Sequence, residues 1–158
     1  MTDKARLPVV FVDADACPVR SEVVRISGRA GLVATFVANG GLRPSRDPLV
    51  RNVVVPQGAD AADDWIVENL TPGDIVVTAD IPLAHRAVSR GAAVLGPTGR
   101  ALTTDSIGMA LAMRDLKQDL REAGAIAGYN PGFSQKDRLY FTNALANAVQ
   151  AALKKGRG

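Results

Sequence analysis

Pro8-Val9-Val10-Phe11-Val12-Asp13-Ala14-Asp15 is the stretch on which the fold turns. Five apolar residues, rich in β-branched side chains, run without a break into an aspartate. A run of that length and content predicts a strand buried on both faces, as in a parallel sheet. An aspartate directly behind such a strand has to be satisfied or functional. Asp13 and Asp15 are two residues apart, so on an extended chain both carboxylates point the same way.

Outward from that strand, the chain alternates strands and helices. Ala16 to Gly28 reads as a helix, with Pro18 in its first turn and Val19, Val23, Val24 and Ile26 on its apolar face. Leu32 to Val37 predicts a second strand and Asn52 to Val55 a third, separated by a Gly- and Pro-containing loop that carries Arg43 and Arg46. Ala61 to Leu70 predicts a helix. Ile75 to Thr78 predicts a fourth strand, with Asp80 at its end. Pro82 to Arg90 predicts a helix, Ala93 to Leu95 a fifth strand, and a long helix follows from Asp105 or Ser106 to about Glu122. Residues 133–154 read as a C-terminal helix docked on the rest. Such alternation implies an α/β fold with parallel pairing and right-handed crossovers. Residues 1–158 are the size of one domain.

Composition narrows the class. At 47% hydrophobic the chain can fold around a core, and at 4% aromatic that core must be aliphatic. No apolar run approaches the roughly 18 to 20 residues that span a bilayer, and the short charged start lacks a secretory signal, so no membrane partner and a cytoplasmic location are expected. Cys17 is the single cysteine, which excludes an intrachain disulfide and suits a reducing compartment. The net charge of +3 permits a nucleic-acid partner without requiring one.

Thirteen of the sixteen acidic residues are Asp, a poor helix former and a good ligand for hard cations. In an open α/β sheet, ligands bind beyond the carboxyl ends of the strands, where the strand order reverses. If the first and fourth strands are neighbours, Asp13 and Asp80 converge there. Asp60, Asp63 and Asp64 lie at the start of the next helix, and Asp60 shares a face with the residues three and four further on. Carboxylates so crowded repel one another, and a divalent Mg2+ or Mn2+ ion relieves the repulsion. Each acid also has a plainer reading. Asp60 can cap its helix, Asp63 or Asp64 can lie on a solvated face, and Asp15 can cap the first helix. Asp74, behind Pro-Gly, reads as a turn residue. Cys17 reads as a small buried hydrophobe rather than a thiolate nucleophile, since nearby carboxylates disfavour the thiolate. His85 reads as a surface residue.

Longer motifs carry a resemblance. Val12 to Val19 (VDADACPV), Phe36 to Asn39 (FVAN), Val54 to Ile66 (VVPQGADAADDWI), Asp74 to Ala84 (DIVVTADIPLA), Gly108 to Leu116 (GMALAMRDL) and Phe133 to Arg138 (FSQKDR) resemble the YaiI/YqxD family of bacterial proteins over nearly the whole chain. The resemblance implies a PIN-like three-layer sandwich, with a central, mostly parallel sheet and helices on both faces, related to nucleases that cut RNA with Mg2+ or Mn2+. It places Asp13 at the aspartate ending the first strand of those nucleases, Asp80 at a later acidic motif, and Asp60 with Asp63 or Asp64 at the central acidic position. The chain departs from that pattern in having no second Asp two residues after Asp80.

The expectation is therefore an RNA phosphodiesterase. Asp13, Asp64 and Asp80 would act in catalysis, Asp13, Asp15, Asp60, Asp63 and Asp80 would hold the metal, and Arg43, Arg46 and Arg86 would take the phosphates. Two alternatives stay open. The Asp13-Ala14-Asp15 spacing suits a phosphatase with an aspartyl nucleophile. The basic segments 114–121 and 154–157 suit a non-catalytic protein that binds RNA or another partner.

Overall fold

The structure is a computed structural model, and it describes residues 7–14, 18–58, 60–108 and 133–157. Asp15 and Cys17 lie outside the described residues, as does most of the helix expected to run to Glu122, of which residues 104–108 are seen to be helical.

The elements, in chain order, are β1 (Val10–Asp13), α1 (Arg20–Arg29), β2 (Ala34–Ala38), β3 (Val50–Val54), α2 (Ala61–Asn69), β4 (Ile75–Val77), α3 (Ile81–Ser89), β5 (Ala93–Leu95), β6 (Ala101–Leu102) and α4 (Gln135–Arg157). The six strands form one sheet in the order β3-β2-β1-β4-β5-β6. β1 to β5 are parallel, and β6 returns antiparallel to β5.

Side-chain alternation along β1 divides the interior in two. Val10 and Val12 join Phe36, Ile75 and Val77 in a core covered by Val19, by Val23 and Ile26 of α1, and by Phe141, Leu145, Val149 and Ala152 of α4. Phe11 faces the other way and joins Val37, Val76 and Val94 beneath Ile66 of α2 and Leu83, Ala84 and Ala87 of α3. With helices on both faces, this is a three-layer α/β sandwich. Burial on both sides explains why Val10 to Val12 and β4 read as unbroken apolar runs and why β2 is apolar but for the buried Thr35.

Three local expectations need correction. β6 was not expected, because Gly96-Pro97 reads as the end of a strand. The turn instead closes through Gly96 N–H to the Arg100 carbonyl, at 2.9 Å, and starts a short return strand. α1 begins at Arg20, so Pro18 precedes the helix instead of standing in its first turn. Val19 lies at the N-cap position with its side chain fully buried in the first core. Asp74 is more than a turn residue. It is buried, and besides closing its turn through Thr71 N–H it accepts a hydrogen bond from Val9 N–H at 3.0 Å, which ties the turn to the start of β1.

An ion pair clamps α4 onto α1. Arg138 Nη1 donates to both oxygens of Glu22, at 3.1 and 3.3 Å, and to the Pro18 carbonyl. Among the described residues, no helix is long and apolar enough to cross a membrane.

Candidate acidic site at the carboxyl edge of the sheet

The strand order reverses between β1 and β4. β1 leads leftward to β2, while β4 leads rightward to β5, so their carboxyl ends open the crevice where an α/β sheet takes its ligands. Val12 is in register with Val77, which sets Asp13 beside Thr78.

Thr78 is fully buried and its hydroxyl joins the two strand-end acids. Thr78 Oγ1 donates to Asp13 Oδ2 at 3.0 Å and accepts from Asp80 N–H at 2.9 Å. A threonine serves here because its hydroxyl can donate and accept at once. Asp80 Oδ1 then accepts from Leu83 N–H at 3.0 Å and caps α3. Asp60 lies at the N-cap position of α2 but makes no capping bond through its side chain.

α2 carries the third contribution. Asp63, in its first turn, is partly buried. Its carboxyl is raised from 3.8 to about 6, first by burial and then by the negative charges of Asp80, Asp13 and Asp60, with Arg86 pulling the other way. Burial and like charges both disfavour the carboxylate. Asp13, Asp60, Asp63 and Asp80 therefore share one electrostatic neighbourhood, assembled from β1, α2 and the start of α3.

Asp64 points elsewhere. It takes Arg86 of α3 in an exposed ion pair at 2.8 Å. The pair ties α2 to α3, and it engages both the expected catalytic Asp64 and the expected phosphate-binding Arg86. Arg43 and Arg46 are exposed in the loop after β2, and Arg43 lines a groove on the α1 side of the sheet.

The donors suit a hard divalent cation in type, since all are carboxylate oxygens and Mg2+ needs only one or two of them, with water completing its shell. In spacing they form a charge cluster rather than a closed cage. Among the described residues, no three acidic, histidine or cysteine side chains come close enough to hold one ion. Sequence reasoning missed Thr78. The only signal would have been its position at the end of a strand, two residues before Asp80, and its neighbour Asp13 is set by strand pairing.

A family model described as "Uncharacterized BCR, YaiI/YqxD family" matches residues 11–151. The chain belongs to the YaiI/YqxD family. Relatives carry the name UPF0178 protein. One from Mesorhizobium japonicum is 63% identical over 147 residues, which span 93% of this chain and 95% of the relative. Another, from Agrobacterium fabrum, is 58% identical over 87% of this chain and 90% of its own length. A third, from Rhodospirillum rubrum, is 54% identical over 94% of this chain and 99% of its own length. No solved structure matches. Within the family match fall Asp13, Asp60, Asp63, Asp64, Thr78 and Asp80.

Proposed function

We propose that this member of the YaiI/YqxD family is a metal-dependent phosphodiesterase of PIN-like type that hydrolyses RNA, acting as a single domain. The observation that carries the reading is the convergence of Asp13, Asp60, Asp63 and Asp80 where the strand order reverses. Asp13 and Asp80 would hold Mg2+ or Mn2+, with Asp60 and Asp63 completing the acidic surround. Bound there, the ion would supply charge neutralisation for a phosphate oxygen and activation of a water. The chain's own groups prepare the place. Thr78 holds Asp13 and the Asp80 backbone in fixed relation, and the cap at Leu83 fixes the Asp80 carboxylate. Asp63, with its raised carboxyl, is suited to exchange a proton near neutral pH. Asp64 supports the site through Arg86 rather than by touching substrate.

The test is cleavage of mixed RNA by the purified protein in Mn2+, beside an Asp13→Asn, Asp80→Asn double variant. Cleavage by the wild type alone, abolished by chelation, is the expected result. Equal residual cleavage by the two proteins refutes the reading.

A further inference from the structure

A second feature at the carboxyl edge of the sheet lies on the opposite face from Asp63. Between the start of α1, the loop after β2 and the first turns of α4 runs a groove of about 650 Å³, within the range of small-ligand sites. Arg20, Arg25, Arg43 and Arg138 line it, with Val24 and Pro44 as apolar wall. Glu22 already takes Arg138. Among the described residues, no carboxylate pairs with Arg20, Arg25 or Arg43.

The Arg20 side chain and the Arg43 backbone are held in place. The Arg20 guanidinium sits 4.2 Å from the centroid of the buried Phe36 ring. Its Nη2 donates to the Arg43 carbonyl at 3.1 Å, and Asn52 Nδ2 donates to the same carbonyl at 2.6 Å. The loop is therefore pinned so that Arg43 stands beside Arg20. The Arg20 pKa is lowered, by burial first and then by the nearby charge of Arg43.

We infer that this groove binds a phosphomonoester carried by a nucleotide or by the end of a nucleic-acid strand. Three cations exceed what one carboxylate can neutralise. A phosphomonoester brings about 1.5 to 2 negative charges and three strong acceptor oxygens, and guanidinium forks match it in bidentate fashion. An internal phosphodiester brings a single charge and leaves the arginines under-neutralised. The inference concerns a site separate from the four aspartates and stands whether or not they hold a metal.

The experiment is binding to the full-length chain in chelator, in an Asp13→Asn background so that no cleavage intervenes. The probes are adenosine, adenosine 5′-monophosphate, and one short single-stranded RNA with either a 5′-phosphate or a 5′-hydroxyl. The proteins are that background alone, with Arg20→Gln plus Arg43→Gln, and with Arg29→Gln plus Arg90→Gln as a control. The phosphorylated member of one pair, nucleotide or RNA, binds about tenfold or more tightly than its phosphate-free partner, as loss of charge-assisted hydrogen bonds implies. The Arg20→Gln, Arg43→Gln protein loses that preference and the control keeps it. A preference confined to the mononucleotide assigns a free nucleotide, and one confined to the RNA assigns a strand end. Because Arg20 rests on Phe36, Arg25→Glu, at an exposed position, provides the same readout if the double variant unfolds. Indifference to the phosphate, or equal loss in the control protein, overturns the inference.

Discussion

Asp63→Asn tests the electrostatic core of the candidate site through stability alone. The folded carboxyl titrates at about 6 against 3.8 for an unperturbed group, so folding works against its ionised form. For a raised folded pKa, the stabilising contribution is complete below 3.8 and is lost as pH rises through about 6. The full displacement corresponds to at most about 3 kcal/mol. Asp63 is only partly buried and Arg86 is near, so solvent screening reduces this to about 1 kcal/mol. Asp63→Asn removes the ionisable group and keeps its size. The variant should therefore be about 1 kcal/mol more stable than wild type at pH 7, or about 2 to 4 °C in Tm for a chain of this length. The gain should shrink through the window between about 6 and 3.8 and vanish below it. Urea unfolding from pH 3.5 to 8, read as the difference between the two proteins, isolates Asp63 from every other titrating group. A carbon-detected NMR titration of the Asp63 carboxyl supplies the second reading, with its midpoint near 6. Parallel stability curves and an ordinary carboxylate midpoint would show that Asp63 does not share the neighbourhood of Asp13, Asp60 and Asp80.

Other substitutions separate structural from site roles. Thr78→Val keeps the core volume but removes both hydroxyl bonds and strands the Asp80 N–H, for a loss of about 1 to 3 kcal/mol in chemical denaturation; a change under about 0.3 kcal/mol would remove Thr78 as the bridge. Asp80→Asn should retain the α3 cap and fold as wild type while abolishing metal-dependent cleavage, whereas Asp80→Ala should also lose about 1 kcal/mol of stability. Equal stability of the two variants would contradict the cap. Gly99→Ala should destabilise by more than about 2 kcal/mol, since a Cβ there would lie 2.7 Å from the Tyr140 backbone at a φ of +90°. Gly31→Ala, at φ +74° in open space, should lose about 1 kcal/mol, and equal effects in thermal melts would show that α4 does not pack so closely on the β5–β6 turn.

Much of the fold was legible because burial writes itself into residue type. β1, β2 and β4 are built mostly of apolar residues since helices cover both faces, and the punctuation by Gly and Pro between them is local chemistry. β6 was not legible, because two residues make no pattern and its pairing with β5 comes from a turn. Within the site, Asp13 could be singled out by its place behind a buried strand. Asp80 could be too, although its cap on α3 was hidden by the same position.

The roles of Asp63 and Asp64 show where sequence stops. Adjacent residues on a helix differ in direction by about 100°, so one of the two must face the sheet when the other does not. Which one is decided by how α2 rolls onto the sheet. With Ala62, Ile66 and Val67 buried, Asp63 turns toward Asp13 and Asp80 and Asp64 toward Arg86. The groove of Arg20, Arg25 and Arg43 likewise draws on segments some twenty residues apart, brought together because β1 and β2 pair in parallel. Residue types along the chain mark most of the buried strands and the aspartate behind the first. Which charges meet depends on the packing that sets β4 beside β1 and turns α2 above them. Side-chain burial is a property of each residue, whereas convergence is a property of pairs far apart in the chain.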